Sequence, residues 1–352
     1  MKINISKEEF KKATTLLDYK EINISIAQML FQIYQEDEFF YGAVKPDSFF
    51  KKLLNYWNIS EKEDISLLNK WVKPNIFVTQ DDYFDNNAYY KLIKPKSVFN
   101  NDIKLEYFTF KAFQPFPLDD IQVDDNDYYL EKTPISYFLK DHHYLALTKN
   151  NVVWMSITPN EINTMSPYID ACKGDVLVLG LGLGYYPLMA LLKKEVNKIT
   201  IVELDKDIIE IFNKFILPYF PQKDKIEIVE GDAIKYLANN NKKYDTVFVD
   251  LWHSPEDGLP LYLKIKQIEK QYKDTNFQYW LEKSIIAYYR RFLLAIFEET
   301  TLRGFKDEDY RNTTNDVDLI INEIYAKTKN VTINNYDDLY NLLKDESIKS
   351  LI

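Results

Sequence analysis

Apolar residues recur at helical spacing through the first 75 positions. Ser6 stands as an N-cap before KEEFKKATTLL, and ISIAQMLFQIYQ and SFFKKLLNYW continue the three-to-four beat, so residues 1–75 are predicted to be helical. Residues 76–135 are aromatic and rich in Asn and Asp, with Pro95, Pro115, Pro117 and Pro134; KLEYFTF at 104–110 is the strand candidate there. At Tyr144 the period changes to two. YLALT, Lys149-Asn150-Asn151 and VVWMSIT predict a β-hairpin around a tight polar turn. Thr158-Pro159-Asn160-Glu161 then has the form of a capping box with proline at the first helical position, so a helix should run from there toward Cys172.

From Val176 to Leu192 the chain has seventeen residues without a charge. A membrane span needs about 20 such residues without interruption. This run is broken by three glycines and Pro187, and it divides into a buried parallel strand, a glycine turn and a helix. The beat then repeats. KITIVE (198–203) is a strand and DKDIIEIFNKFI a helix capped by Asp205; KIEIVE (225–230) is a strand and Gly231-Asp232 leads into AIKYLANN; YDTVFVD (244–250) is a further strand. Alternation at this spacing predicts an α/β protein with a doubly wound, mainly parallel, Rossmann-like sheet. After Asp250 the beat stops. Residues 259–303 are predicted to be helical and the tail carries helical patches such as DDLYNLLKD with an Asp cap, so the sheet is expected to be truncated after its fourth strand and closed by helices. The domain organisation expected is an N-terminal helical and β extension (1–143), a nucleotide-binding domain with its hairpin (144–258) and a helical C-terminal cap (259–352).

Glycine sharpens this picture. The chain of 352 residues has eight, and Gly174, Gly180, Gly182 and Gly184 fall within eleven positions, the last three closing the first strand. Such a cluster marks backbone that turns sharply or closely approaches a ligand. The acidic residues Glu203, Asp232 and Asp250 likewise fall at or just past strand ends. In a doubly wound sheet these positions share the edge where ligands bind. Position 185 is Tyr, so the G-x-G-x-x-G dinucleotide fingerprint fails, and no G-x-x-x-x-G-K-[ST] phosphate loop is present. Glu203 follows Gly180 by 23 residues, the place from which a carboxylate accepts hydrogen bonds from a ribose.

Charge and composition remove whole classes. The formal charge of −10 argues against a nucleic-acid or anionic-membrane partner at the level of the whole chain. Residues 261–291 carry a net +4, which reads as a solvated helix face. Cys172 is the single cysteine and His142, His143 and His253 the only histidines, so no disulfide, cysteine-based zinc site or histidine-rich metal centre is expected. Arginine is scarce (Arg290, Arg291, Arg303, Arg311), and with it the guanidinium phosphate clamp. MKINISKEEF lacks the apolar core of a signal peptide, and a cytoplasmic location is expected.

VLVLGLGLG, IVELD, VEGDA and YDTVFVD resemble the successive motifs of the class I S-adenosylmethionine (SAM)-dependent methyltransferase superfamily over residues 150–258. The resemblance is greatest to the spermidine synthase branch, in which motif I also lacks an acid two places before its first glycine (Val178 here) and a hairpin also precedes the nucleotide domain. It implies S-adenosyl-L-methionine as cofactor, with Gly180, Leu181, Gly182 and Gly184 at its methionine part, Glu203 and Leu204 at the ribose, and Asp232 and Ala233 at the adenine. Trp154, Met155, Ser156 and Thr158 are placed to cover it from the hairpin.

The chain also departs from that branch. Spermidine synthases carry D-x-x-D after the fourth strand to position and deprotonate a polyamine; here the segment is Asp250-Leu251-Trp252-His253. The acidic and Tyr-His-Glu residues expected after the hairpin are absent, with Pro159, Asn160, Asn163 and Thr164 in that stretch. The Asn/Asp-Pro-Pro-Tyr motif of amino-group methylation and an L-x-P-G-G-like turn are missing too. The expected activity is therefore methyl transfer from SAM to an unidentified small-molecule acceptor, with Asp250 and His253 as catalytic candidates beside it. Aminopropyl transfer from decarboxylated SAM and a non-catalytic scaffold are the alternatives, and a homodimer is left open.

Overall fold

The computed structural model describes residues 1–35, 40–100, 102–302, 304 and 316–352. Residue 303, the end of the predicted helical stretch, and Arg311 lie outside them.

Five parallel strands form the central sheet: β1 (Gly174–Leu179), β2 (Val196–Glu203), β3 (Ile226–Glu230), β4 (Thr246–Val249) and β5 (Asn276–Tyr279). Their spatial order is β3-β2-β1-β4-β5. The chain winds outward from β1 to β3, then crosses to the other side of β1 for β4 and β5. Val176 faces Ile199 on one side and Thr246 on the other, and Leu179 faces Val202 and Val249. Residues 176–179 are fully buried, as a strand covered on both faces requires.

The mainly parallel α/β sheet agrees with the sequence pattern, but the expected truncation after the fourth strand does not hold. β5 pairs with β4 from Thr246↔Asn276 to Val249↔Tyr279. Its sequence NFQY has no apolar run because Gln278, which is buried, accepts a hydrogen bond at Oε1 from the Tyr186 hydroxyl (2.9 Å). Helix α2 (Pro255–Glu269) precedes this strand, and helix α3 (Glu282–Leu302) follows it.

The hairpin joins His142–Lys149 to Val152–Ser156. Asn150 (φ 54°) and Asn151 (φ 63°) both take the left-handed conformation of a tight hairpin turn. Ile103–Phe110 and Val98–Asn100 extend the hairpin into a four-stranded antiparallel sheet. Helix α1 (Pro159–Ala171) leaves the hairpin and leads into β1. A long helix, Lys7–Gln35, runs through the N-terminal part, and Lys2–Ile3 pairs in parallel with Thr332–Ile333 from the tail. The helix Tyr336–Leu342 is capped by Asn335, whose Oδ1 accepts from the Asp338 N–H (2.9 Å), rather than by an aspartate. No helix among the described residues is long and apolar enough to cross a membrane.

Candidate active site

The strand order reverses between β1 and β4, and the site forms at their C-terminal ends. The Asp250 N–H donates to the Leu179 carbonyl (2.9 Å), which brings the two ends together. Gly180 (φ 97°) is obligatory there, since a Cβ would lie 2.0 Å from the Asp250 carbonyl oxygen. At Gly182 (φ 55°) a Cβ would meet nothing within 4 Å, so this part of the loop borders open space. Glu203 ties the loop to the next turn: Oε2 accepts from the Leu181 N–H (3.0 Å) and Oε1 from the Asp205 N–H (2.8 Å). Asp205 in turn pairs with Lys149 at the hairpin end.

These elements surround a cavity of about 510 Å³. Leu181, Gly180, Gly182, Glu203, Leu204, Asp232, Ala233, Asp250 and His253 all line it. Gly184 stands one position outside, where a Cβ would lie 2.4 Å from the Phe212 ring. Asp232 also caps the helix Ala233–Asn239, its Oδ1 accepting from the Lys235 N–H (3.0 Å). Leu204 is the most exposed lining residue at 71%. His253 stands at the mouth with its side chain 55% exposed. Its Nδ1 lies 3.4 Å from Asp257 Oδ2, and its ring meets that of Trp154 edge-on at 4.6 Å.

Two of the lining carboxylates, Asp250 and Glu161, are set apart by their surroundings. Among the described residues neither carboxylate meets a hydrogen-bond donor. Burial pushes the Glu161 carboxyl up to about 8, with the charge of Asp250 adding to the effect. Burial likewise pushes Asp250 up to about 7, with Glu203 as the second cause. Two acids that protonate near neutrality at one sheet edge are poised to exchange a proton or to hold a cation.

Glu161 was legible in the sequence only as the far member of a capping box. Half of that box exists: Thr158 Oγ1 accepts from the Glu161 N–H (3.5 Å). The carboxylate does not return to the Thr158 backbone and lines the cavity instead. The absence of an acidic residue after the hairpin is thereby corrected, because Glu161 occupies that stretch.

The far wall is aromatic. The Trp280 indole N–H donates to Thr164 Oγ1 (2.9 Å), and that of Trp252 donates to the Trp280 carbonyl (3.0 Å). Trp280 follows β5 directly, so the strand missed by the sequence pattern also hid one wall of the site. The charged side chains lining the cavity are Glu161, Glu203, Asp205, Asp232 and Asp250; no Lys or Arg is among the described lining residues. Nor do the described residues contain a group of three or more His, Cys, Asp or Glu able to hold a metal ion.

Residues 162–269 match the family model of the spermine/spermidine synthase domain. This part of the chain is therefore similar to the spermidine synthase branch of the class I SAM-methyltransferase-like fold. Among curated proteins, the chain is 32% identical over 90 residues to polyamine aminopropyltransferase 2 of Hyperthermus butylicus, covering 25% of this chain and 30% of that protein. It is 37% identical over 93 residues to polyamine aminopropyltransferase of Korarchaeum cryptofilum, covering 25% and 28%. The match thus spans less than a third of the length of these relatives. Among solved structures, spermidine synthase from Thermotoga maritima is similar at 17% identity and a TM-score of 0.29, covering 42% of this chain and 54% of that one.

These matches overturn the expectation of methyl transfer, since the curated relatives carry the name aminopropyltransferase. The expectation of S-adenosyl-L-methionine as a cofactor falls with it, because an aminopropyltransferase consumes its nucleoside sulfonium as a substrate. The lining agrees in chemical terms. SAM retains an amino-acid carboxylate, and the cavity offers that group acids and no side-chain cation.

Proposed function

We propose that this chain transfers an aminopropyl group from decarboxylated SAM to an amine acceptor of the polyamine type. The observation that carries the reading is the acidity of the cavity, five acidic side chains, of which Asp205 is paired with Lys149, and no Lys or Arg among its described lining. Decarboxylated SAM and an alkyl amine are both cations, and a desolvated acid lining favours both. The family model and the names of the curated relatives support the same chemistry.

In this reading Gly180, Leu181 and Gly182 lie along the sulfonium side, with Gly184 packed behind them on Phe212, Glu203 and Leu204 at the ribose, and Asp232 with Ala233 at the adenine. The acceptor nitrogen attacks the aminopropyl carbon bonded to sulfur. A C–N bond forms as the C–S bond breaks, the bonding pair goes to sulfur, and neutral methylthioadenosine leaves. The surplus proton on nitrogen passes to Asp250, which near pH 7 is balanced between acceptor and donor forms. Trp252 and Trp280 shield the reaction from water, and positioning supplies most of the remaining acceleration.

Incubation with decarboxylated SAM and 1,4-diaminobutane should yield methylthioadenosine and a triamine in equal amounts by mass spectrometry. Asp250→Asn should lower kcat by about 10²–10⁴-fold. No methylthioadenosine with any straight diamine of three to five carbons would remove the proposal.

A further inference from the structure

We propose that Glu161 supplies the second carboxylate of the amine site, so that the reacting ammonium is bridged between Glu161 and Asp250. This inference rests on the aminopropyl-transfer reading and names the residue that selects its acceptor. The D-x-x-D segment of spermidine synthases places two acids on one loop after the fourth strand. In this chain the second position is His253, which stands at the mouth and leans on Asp257 and Trp154. An imidazole there offers a cation little, and the cavity needs its second acid from another element. Helix α1 provides it. Glu161 lies in its first turn, lines the same cavity as Asp250 and lies near enough for Asp250 to oppose its ionisation.

The unmet hydrogen-bonding capacity of the two carboxylates fits the ligand. A primary ammonium has three N–H donors, so one can meet each carboxylate, and the proton that points at Asp250 is the one passed to it as the nitrogen becomes the nucleophile. Glu161 and Asp250 line one cavity with Glu203 at the end of β2, and the exposed His253 pairs with Asp257. Every neighbouring group named there is acidic or an exposed imidazole, so the free site holds protons that an arriving ammonium displaces.

The test is titration calorimetry of 1,4-diaminobutane into the protein saturated with methylthioadenosine, at pH 7 in two buffers of different ionisation enthalpy. The wild type should release protons on binding the diamine. Glu161→Gln should weaken diamine binding by about tenfold or more, release fewer protons and keep its affinity for methylthioadenosine. Its loss should exceed that of His253→Ala. Folding of each variant is checked by thermal melting, and Gln at 161 removes a buried acid without changing shape. Diamine affinity within threefold of wild type in Glu161→Gln, a larger loss in His253→Ala, or an equal loss of methylthioadenosine affinity overturns the inference. A wild type that forms the triamine while Glu161→Gln keeps its diamine affinity overturns the inference and leaves aminopropyl transfer standing. A wild type that binds neither ligand removes both.

Discussion

Asp250 and Glu161 carry a cost in the folded chain that the unfolded chain does not bear. Their carboxyls protonate at about 7 and about 8 in the fold against ordinary values near 4. Because the folded state binds these protons more tightly, their contribution is fully present below about pH 4 and is lost as pH rises through 7 to 8. The ligand-free protein should therefore lose on the order of 6 kcal/mol of stability between pH 5 and pH 8.5 through this pair. Urea unfolding at the two pH values measures this, and the double variant Glu161→Gln with Asp250→Asn should flatten the slope. An equal slope in the variant would assign the loss to other groups. The sequence placed Asp250 on the ligand edge because a strand end fixes where its backbone goes. It could not place the Glu161 carboxylate, since a capping box and a cavity wall differ only in a side-chain rotamer.

At the scale of elements, local chemistry was legible wherever the chain itself supplies the constraint. Asn150 and Asn151 show this, for two residues at positive φ are what a two-residue hairpin turn demands. Asn150→Ala should cost about 1 kcal/mol, and Asn150→Gly should cost nothing or add stability, as read by the urea midpoint. An alanine variant as stable as the parent would mean that the turn changes type. The four β–α beats were readable for the same reason, from apolar runs that fill both faces of a parallel sheet. β5 was not, because its packing depends on partners distant in sequence. Gln278 Oε1 accepts from Tyr186, 92 positions away, and no periodicity within NFQY announces that bond.

Across the whole molecule, two adjacent arginines on α3 hold the parts together. Arg290, 2% exposed, donates from Nε to the Leu343 carbonyl (2.8 Å), pairs with Asp345 and stacks 4.8 Å from the Tyr129 ring. Arg291 forks onto both oxygens of Glu131. The tail and the N-terminal part are thereby joined through one helix turn. Arg290→Met should destabilise by about 3 kcal/mol, since it strands the Leu343 carbonyl and removes a buried ion pair. The urea midpoint reports the loss, and limited proteolysis should cut first near Leu343; an unchanged midpoint would show that the tail is held elsewhere.

The pairing of Lys2–Ile3 with Thr332–Ile333, reinforced by the Tyr336 N–H donating to Glu9 Oε2 (2.9 Å), has a consequence for biosynthesis. A ribosome that has released residue 2 must deliver residue 332 before the ladder closes, so the first helix emerges long before its mate. Closure across so long a loop is slow. During that interval the backbone of Lys2–Ile3 lacks its partner strand and stays open to other strands.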